Sequence, residues 1–166
     1  MARSPHHWPL CSIDLTSRRY SDSTTCIVSL YDHLLRPCKV IRHRLGSSLA
    51  SAVELMHESD PSVYVDVSCT KDGKIMLISK NSKSSSEVWY APSSDPSAPF
   101  KCIRPRRQGL RYYVEHCDGW LYVMHNDGCS NFRVARLPAS CSSHCAQWED
   151  FIAGDVEGAV LEDMDM

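Results

Sequence analysis

Cysteine and histidine residues near the end of the sequence are the first candidates for chemistry. Cys141, His144 and Cys145 lie close together, and Cys129 lies upstream of them. Structural zinc needs four nitrogen or sulfur ligands, usually supplied as two closely spaced pairs. Only one such pair is present, and chance alone brings cysteines together in a chain that has 9 of them. The sequence therefore predicts no metal site.

A short basic run is the second candidate. Residues 104–107, Arg-Pro-Arg-Arg, are followed by the aromatic residues Tyr112, Tyr113 and Trp120. Positive charge combined with stacking side chains is how proteins bind single-stranded nucleic acid. The formal net charge is -2, however, and no wider basic surface accompanies the run. We therefore predict a solvated turn at 104–107 and no nucleic-acid partner.

Two histidines, His116 and His125, together with the many serines, raise the possibility of serine–histidine catalysis. A nucleophilic serine is normally presented on a sharp strand-to-helix turn with the pattern G-x-S-x-G. That pattern is missing from the sequence. We interpret both histidines as hydrogen-bonded structural residues. The sequence predicts no catalytic residue, no cofactor-binding residue and no cofactor.

Composition indicates a globular protein. Of the 166 residues, 43% are hydrophobic and 23% are charged, and no apolar run is long enough to cross a membrane. The cysteines form no C-x-x-C pair, and Cys26 and Cys102 lie within apolar strand patterns, which predicts a reducing, cytoplasmic environment. Residues 1–24 are rich in Ser and Arg and poor in acidic residues. This is compatible with organellar targeting, although an irregular terminus is the simpler interpretation.

The stretch 63–90 indicates the elements that must position any site. Three short strands are predicted there, and the first two are joined by an Asp72-Gly73 turn, a strong hairpin signal. Residues 49–57 fit a strand or one helical turn, and we favour the strand because Val53 and Leu55 alternate with polar neighbours. Further strands are predicted at 26–31, 39–45, 100–103, 111–116, 120–125, 132–137 and 148–152.

These strands repeat along the chain. A shift of 46 residues places Asp72-Gly73 on Asp118-Gly119, and a shift of 48 places Leu55 on Ile103. Units of four strands at this period are typical of propeller blades, with a β-sandwich as the competing architecture. We predict an all-β fold, a partial β-propeller of about two to three four-stranded antiparallel blades over residues 26–166, after an irregular segment 1–25. Because about four to eight blades close a ring, we expect this to be part of a longer propeller.

Several passages resemble the N-terminal propeller of prolyl oligopeptidase-type serine peptidases, in particular the oligopeptidase B branch. Their order and spacing make the resemblance specific, although His33 and Cys38 stand where that branch usually has acidic residues. The resembling passages are YDHLLRPCKV at 31–40 with HRLG at 43–46, VDVSCTKDGK at 65–74 with SSSEV at 84–88, and RPRR at 104–107 followed by Tyr113, His116 and Asn131-Phe132.

The resemblance implies a function for the longer protein. In this family the propeller sits over an α/β-hydrolase domain and restricts access to short peptides, which the oligopeptidase B branch cleaves after Lys or Arg. The catalytic triad belongs to the hydrolase domain and has no counterpart here, so we expect this chain to be inactive alone. Its partners would be that domain and a peptide substrate. A stand-alone interaction module, whose open blades bind a protein by adding a strand, is the alternative.

Overall fold

Three four-stranded antiparallel sheets follow one another along the chain. The computed structural model describes residues 18–19, 24–129, 131–140 and 147–153. In each sheet the strands lie side by side in the order in which they occur in the sequence. We call the sheets blade 1, blade 2 and blade 3. Blade 1 consists of β1 (Arg18–Arg19), β2 (Thr25–Tyr31), β3 (Pro37–Arg44) and β4 (Val53–His57); blade 2 of β5 (Tyr64–Cys69), β6 (Ile75–Asn81), β7 (Ser86–Pro92) and β8 (Lys101–Arg104); and blade 3 of β9 (Tyr112–Cys117), β10 (Trp120–His125), β11 (Arg133–Pro138) and β12 (Glu149–Ile152).

Two Asp-Gly turns connect the first and second strands of blades 2 and 3, as predicted. In blade 2 the Gly73 amide donates to the Thr70 carbonyl over 2.8 Å. In blade 3 Asp118 and Gly119 form a two-residue connection with φ values of 47° and 82°. Positive φ at both central residues suits the right-handed twist of the flanking strands. The turns therefore fix the register of both hairpins.

A β-bulge recurs between the third and fourth strands of every blade. In blade 1 the pairing shifts between Val40 and Ile41, which leaves Leu55 as the extra residue on β4. The corresponding extra residues are Ile103 on β8 and Phe151 on β12, so the bulges recur at intervals of 48 residues. The sequence repeat thus includes the position of the bulge as well as the strands. The predicted partial propeller fold is confirmed.

The hydrophobic core lies between the blades. On β6, Met76 and Ile78 point to blade 1 and pack with Ile27 and Val40. The alternate residues Ile75 and Leu77 pack against blade 3, where they join a cluster that includes Leu121, Val123 and Leu137. Successive side chains of a strand point to opposite faces, so blade 2 is apolar on both sides. Burial on both faces explains why the run of residues 75–78 is hydrophobic without alternation.

Part of the strand prediction is wrong. Leu49–Ser51 forms a 3-10 helix, and the strand begins only at Val53. The Ser48 hydroxyl accepts a hydrogen bond from the Ala50 amide, and a local serine contact of this kind favours a turn over an extended ladder. Strand β1 lies within segment 1–25, which was predicted to be irregular. Arg18 of this strand pairs with Ile27 of β2. No helix among the described residues is long and apolar enough to cross a membrane.

Candidate functional site

The junction between blades 2 and 3 contains a buried tyrosine that bonds to the bulge of the neighbouring blade. Tyr112, on β9, is 1% exposed. Its hydroxyl accepts a hydrogen bond from the Val88 amide over 2.8 Å and donates one to the Arg104 carbonyl over 2.6 Å. Val88 and Arg104 face each other where β7 and β8 lose their regular pairing. Burial raises the pKa of Tyr112, so the hydroxyl stays neutral and keeps its proton to donate.

A carboxylate and a histidine connect the same two blades at another point. Asp72, in the β5–β6 turn, lies with Oδ2 2.6 Å from Nδ1 of His116 on β9. Its Oδ1 accepts from the Thr70 hydroxyl and the Lys74 amide over 2.8 and 3.0 Å. Burial alone would raise the pKa of Asp72, but the hydrogen bonds from Lys74, Thr70 and His116 outweigh it and lower the pKa to about 2. Asp72 is therefore a fixed negative charge.

A third contact stacks an arginine of blade 2 on an aromatic residue of blade 3. The guanidinium carbon of Arg104 lies 3.5 Å from the ring centroid of Trp148, and Arg104 also pairs with Asp127 over 3.0 Å. The His125 ring lies on the same tryptophan at 4.5 Å between centroids. A cation over an indole face is the most favourable cation–π geometry. Arg104 is thus held by stacking and by charge together.

His125 is buried in its neutral form. Nδ1 accepts a hydrogen bond from the Asp127 amide over 3.1 Å, so the proton is on Nε2, which is buried without a hydrogen-bond partner. Burial, followed by the positive charge of Arg133, lowers the pKa of His125 to about 4. At neutral pH this histidine packs as an uncharged ring.

Arginine also anchors blade 1 to the linker that leads into blade 2. Arg36 follows Leu35, whose φ of 58° marks a tight turn between β2 and β3. The Arg36 side chain pairs with Asp32 over 2.9 Å and donates to the backbone carbonyls of Asp60 and Val63 over 2.6 and 2.9 Å. The planar, multiply donating guanidinium makes arginine suited to binding several carbonyls at once.

A partly buried network of charges connects both linkers to blade 2. Lys80 on β6 lies 3.3 Å from Glu58 and 3.6 Å from Glu87. Glu58 belongs to the linker between blades 1 and 2, and Glu87 accepts from the Arg106 amide in the linker between blades 2 and 3. Burial would raise the pKa of Glu58, but the Asp60 amide and Lys80 lower it overall. Glu58 therefore remains ionised beside its cation.

The residues singled out for chemistry in the sequence contact other groups of the protein where the structure describes them. Each arginine of the basic run lies beside an acidic side chain: Arg104 and Arg107 both pair with Asp127, and Arg106 lies near Glu58 and Asp60. This agrees with a turn between blades. Cys129 donates to the His125 carbonyl, and Cys141, His144 and Cys145 lie outside the described residues. No group of three potential metal ligands occurs within the described part of the chain.

Sequence reasoning missed Tyr112 and Arg36 as the residues that bridge consecutive units. Tyr112 reads as an ordinary aromatic strand residue, and nothing local marks its hydroxyl as a partner for another strand's backbone. The signal that could have found it is the repeat itself, since a bulge at Ile103 leaves backbone groups that need a partner. Together these contacts hold the blades in fixed positions relative to one another.

Comparison with known proteins gives a consistent result. The family described as "Prolyl oligopeptidase, N-terminal beta-propeller domain" matches residues 20–166. "Protease 2" of Moraxella lacunata is 34% identical over 107 residues, which are 64% of this chain and 16% of that protein. "Prolyl endopeptidase-like" of Xenopus laevis is 34% identical over 122 residues, 72% of this chain and 17% of its own length. The chain thus spans about a sixth of the length of the curated relatives it matches.

Similarity extends to solved structures. Oligopeptidase B from Trypanosoma brucei, in a closed form with covalently bound antipain, superimposes with a TM-score of 0.73 at 28% sequence identity. The match covers 84% of this chain and 20% of the trypanosomal one. Oligopeptidase B from Leishmania major has the same fold, with a TM-score of 0.72.

Proposed function

The chain belongs to the prolyl oligopeptidase family, within the part that forms the N-terminal β-propeller domain, and from this premise we propose that it supplies three consecutive blades to a serine-type peptidase. The observation that carries the proposal is the order of the three sheets, with apolar faces buried between neighbours. Such blades act as a scaffold. Their role is to restrict the active site of a hydrolase domain to short peptides.

The substrates of the complete enzyme are short peptides cleaved after Lys or Arg. This follows from the resemblance of 31–46 and 65–88 to the oligopeptidase B branch and is supported by the trypanosomal oligopeptidase B as a structural neighbour. The chemistry is acyl transfer from the peptide carbonyl to a serine outside this chain, followed by hydrolysis. The blades themselves bear no catalytic residue, and the protein works in the cytoplasm.

Extending the transcript sequence tests the proposal. A reading frame that continues past Met166 and encodes G-x-S-x-G followed by a histidine supports it, whereas a stop codon directly after Met166 counts against it. A second test is hydrolysis of an Arg-containing fluorogenic peptide by the purified chain, which we expect to be absent. Activity that survives further purification and is inhibited by a serine-directed reagent would contradict the scaffold role.

A stand-alone interaction module is the second candidate, and one observation favours it. Phe151 and Ile152, on the last described strand of blade 3, are 48% and 43% exposed. An apolar edge strand is a template for pairing with another chain. If the reading frame stops after Met166, we expect the chain to self-associate in size-exclusion chromatography. A concentration-independent monomer would contradict this second function.

A further inference from the structure

A polar groove lies beside blade 2, at the end opposite the Asp72-Gly73 turn. It has a volume of about 500 Å³, within the usual range of small-ligand sites. One wall is the linker between blades 1 and 2, the opposite wall is the linker between blades 2 and 3, and the β6–β7 turn closes the end. The residues used below are Asp60, Lys83, Ser84, Arg106 and Gln108, all of which line it.

Arg106 brings unused hydrogen-bonding capacity into this groove. Its backbone amide is fixed by Glu87 over 2.9 Å, which directs the side chain across to the other linker. The guanidinium reaches Glu58 and Asp60 only at 3.8 and 3.7 Å, beyond hydrogen-bond distance. Nη1 is buried and has no hydrogen-bond partner. A guanidinium offers a planar fork that matches a carboxylate or a phosphate, and the Arg106 side chain is 28% exposed, so an oxyanion in the groove can reach its accessible edge.

The carboxylate nearest to Arg106, that of Asp60, faces it with Oδ2 and is hydrogen-bonded within its own linker through Oδ1. Oδ1 of Asp60 accepts from the amide and the hydroxyl of Ser62 over 2.9 and 2.7 Å. Glu58 has its own cation in Lys80 at 3.3 Å. Of the charged side chains that line the groove, Lys83 and Arg106 are positive and Asp60 is negative, which leaves an excess of one positive charge.

Lys83 adds a second positive charge. It is exposed at the tip of the β6–β7 turn and has no ion-pair partner among the described residues. Next to it, the Ser84 hydroxyl accepts a hydrogen bond from the Gln108 side-chain amide over 2.9 Å. This contact leaves the Ser84 hydroxyl proton free to donate, since a hydroxyl is both a donor and an acceptor. A cation, a guanidinium and a hydroxyl thus border the same cavity.

The groove is rigid before any ligand arrives. The Gly109 amide donates to the Ser84 carbonyl over 3.0 Å, and the Ser86 amide donates to the Leu110 carbonyl over 2.9 Å, which ties the β6–β7 turn to the second linker. Arg36 holds the first linker through the carbonyls of Asp60 and Val63. Walls fixed in this way reduce the entropy that binding would otherwise cost.

We propose that this groove binds an oxyanion-bearing ligand, a carboxylate or a phosphate, between Arg106 and Lys83. The site is independent of peptide hydrolysis, because it lies on the blades and uses no catalytic group. A peptide with a free C-terminal carboxylate and a free phosphate are the two sources that would supply this chemistry.

Binding is tested by titrating the 166-residue chain, labelled with ¹⁵N, with inorganic phosphate or with a short neutral peptide that has a free C-terminus. The same peptide with a C-terminal amide and sodium chloride at equal ionic strength are the controls. We expect saturable shifts of the Lys83 and Gln108 signals. Lys83→Gln should weaken binding about threefold and Arg106→Gln about tenfold or more, because a hydrogen-bonded charge contributes more than an exposed one.

Lys74→Gln is the matched control variant, because Lys74 is exposed at the opposite end of blade 2 and should leave binding unchanged. Saturation by phosphate alone, by the free carboxylate alone, or by both supports the site and identifies its ligand chemistry. Two results overturn it: no saturable shift with either probe, or wild-type affinity in Lys83→Gln and Arg106→Gln alike. Lys83→Gln keeps the test decisive if Arg106→Gln does not fold.

Discussion

The interface between blades 1 and 2 and the interface between blades 2 and 3 are built differently. The first buries an aliphatic cluster around Val40, Val65 and Ile78. Its polar contacts are made to backbone carbonyls: Arg36 donates to the linker between the blades, and Arg42 donates to the β7–β8 loop. The second has an apolar cluster of its own but also the Tyr112 hydroxyl in a bulge and the Asp72–His116 contact. Apolar burial is non-directional, whereas hydrogen bonds require one geometry. We infer that the second interface is the more specific in register and the more sensitive to pH.

The largest expected effect is loss of apolar packing, and it should be equal at both interfaces. Ile78→Ala empties space on the blade 1 side of β6, and Leu77→Ala does so on the blade 3 side. Each should lower the free energy of unfolding by about 3 kcal/mol, because truncation of a buried aliphatic side chain leaves a cavity. Urea denaturation followed by circular dichroism measures both. A much smaller loss for either variant would show that its interface is not tightly packed.

Tyr112→Phe should affect only the second interface. The change leaves the Val88 amide and the Arg104 carbonyl without their buried partner, which should cost about 2 kcal/mol of unfolding free energy. Tyr113→Phe is the control, since Tyr113 is 42% exposed and its hydroxyl contacts Arg111 at the surface. Equal midpoints for the two variants in urea would contradict the role of the bulge contact.

Stability should fall as the pH is lowered from about 6.5 to 4, and His125 should account for it. The pKa of His125 is about 4 in the folded chain, below the ordinary value of 6.5. Across this window the unfolded chain binds the proton and the folded chain does not, so each pH unit of acidification favours unfolding by up to about 1.4 kcal/mol. Urea midpoints measured over this range in the wild type and in His125→Gln provide the test. An unchanged pH dependence in the variant would rule out His125 as its source.

The smallest effect concerns the Asp72–His116 contact. Asp72→Asn should lower the free energy of unfolding by about 1 kcal/mol at pH 7, because the amide replaces a charged acceptor. With a folded pKa of about 2, Asp72 contributes stability above its unfolded pKa of about 4, and this contribution is lost as the pH falls towards 2. The variant should therefore approach the wild type in acid. Asp66→Asn, at an exposed position of β5, should be neutral, and a loss as large as that of Asp72→Asn would refute the cross-blade contact.

The blade pattern was predictable from the sequence because it rests on local signals. Asp72-Gly73 and Asp118-Gly119 mark turns whose geometry only a few residue types adopt, and the apolar alternation of Val63, Val65 and Val67 marks a strand with one buried face. The 3-10 helix at Leu49–Ser51 was missed because a serine cap competes with extended pairing over a single turn. Its apolar residues fit either conformation.

The contacts between blades were not predictable, because they join residues far apart in sequence. His116 was expected to be a hydrogen-bonded structural residue, but its partner Asp72 lies 44 positions away. Arg106 was interpreted as part of a solvated turn, and only the folded linkers bring it to Asp60 and into a groove with Lys83. Such pairings depend on how the sheets stack, which single-strand patterns do not encode.

The position of Trp148 gives the molecule an optical reporter of its own. The indole lies between the Arg104 guanidinium and the His125 ring and touches Tyr112 edge-on, with centroids 5.5 Å apart. Separation of blade 3 from blade 2 would remove Arg104 and expose the ring to water, which shifts tryptophan emission to longer wavelength. In a variant whose other three tryptophans are replaced by phenylalanine, fluorescence from Trp148 can therefore follow the separation of blade 3 from blade 2.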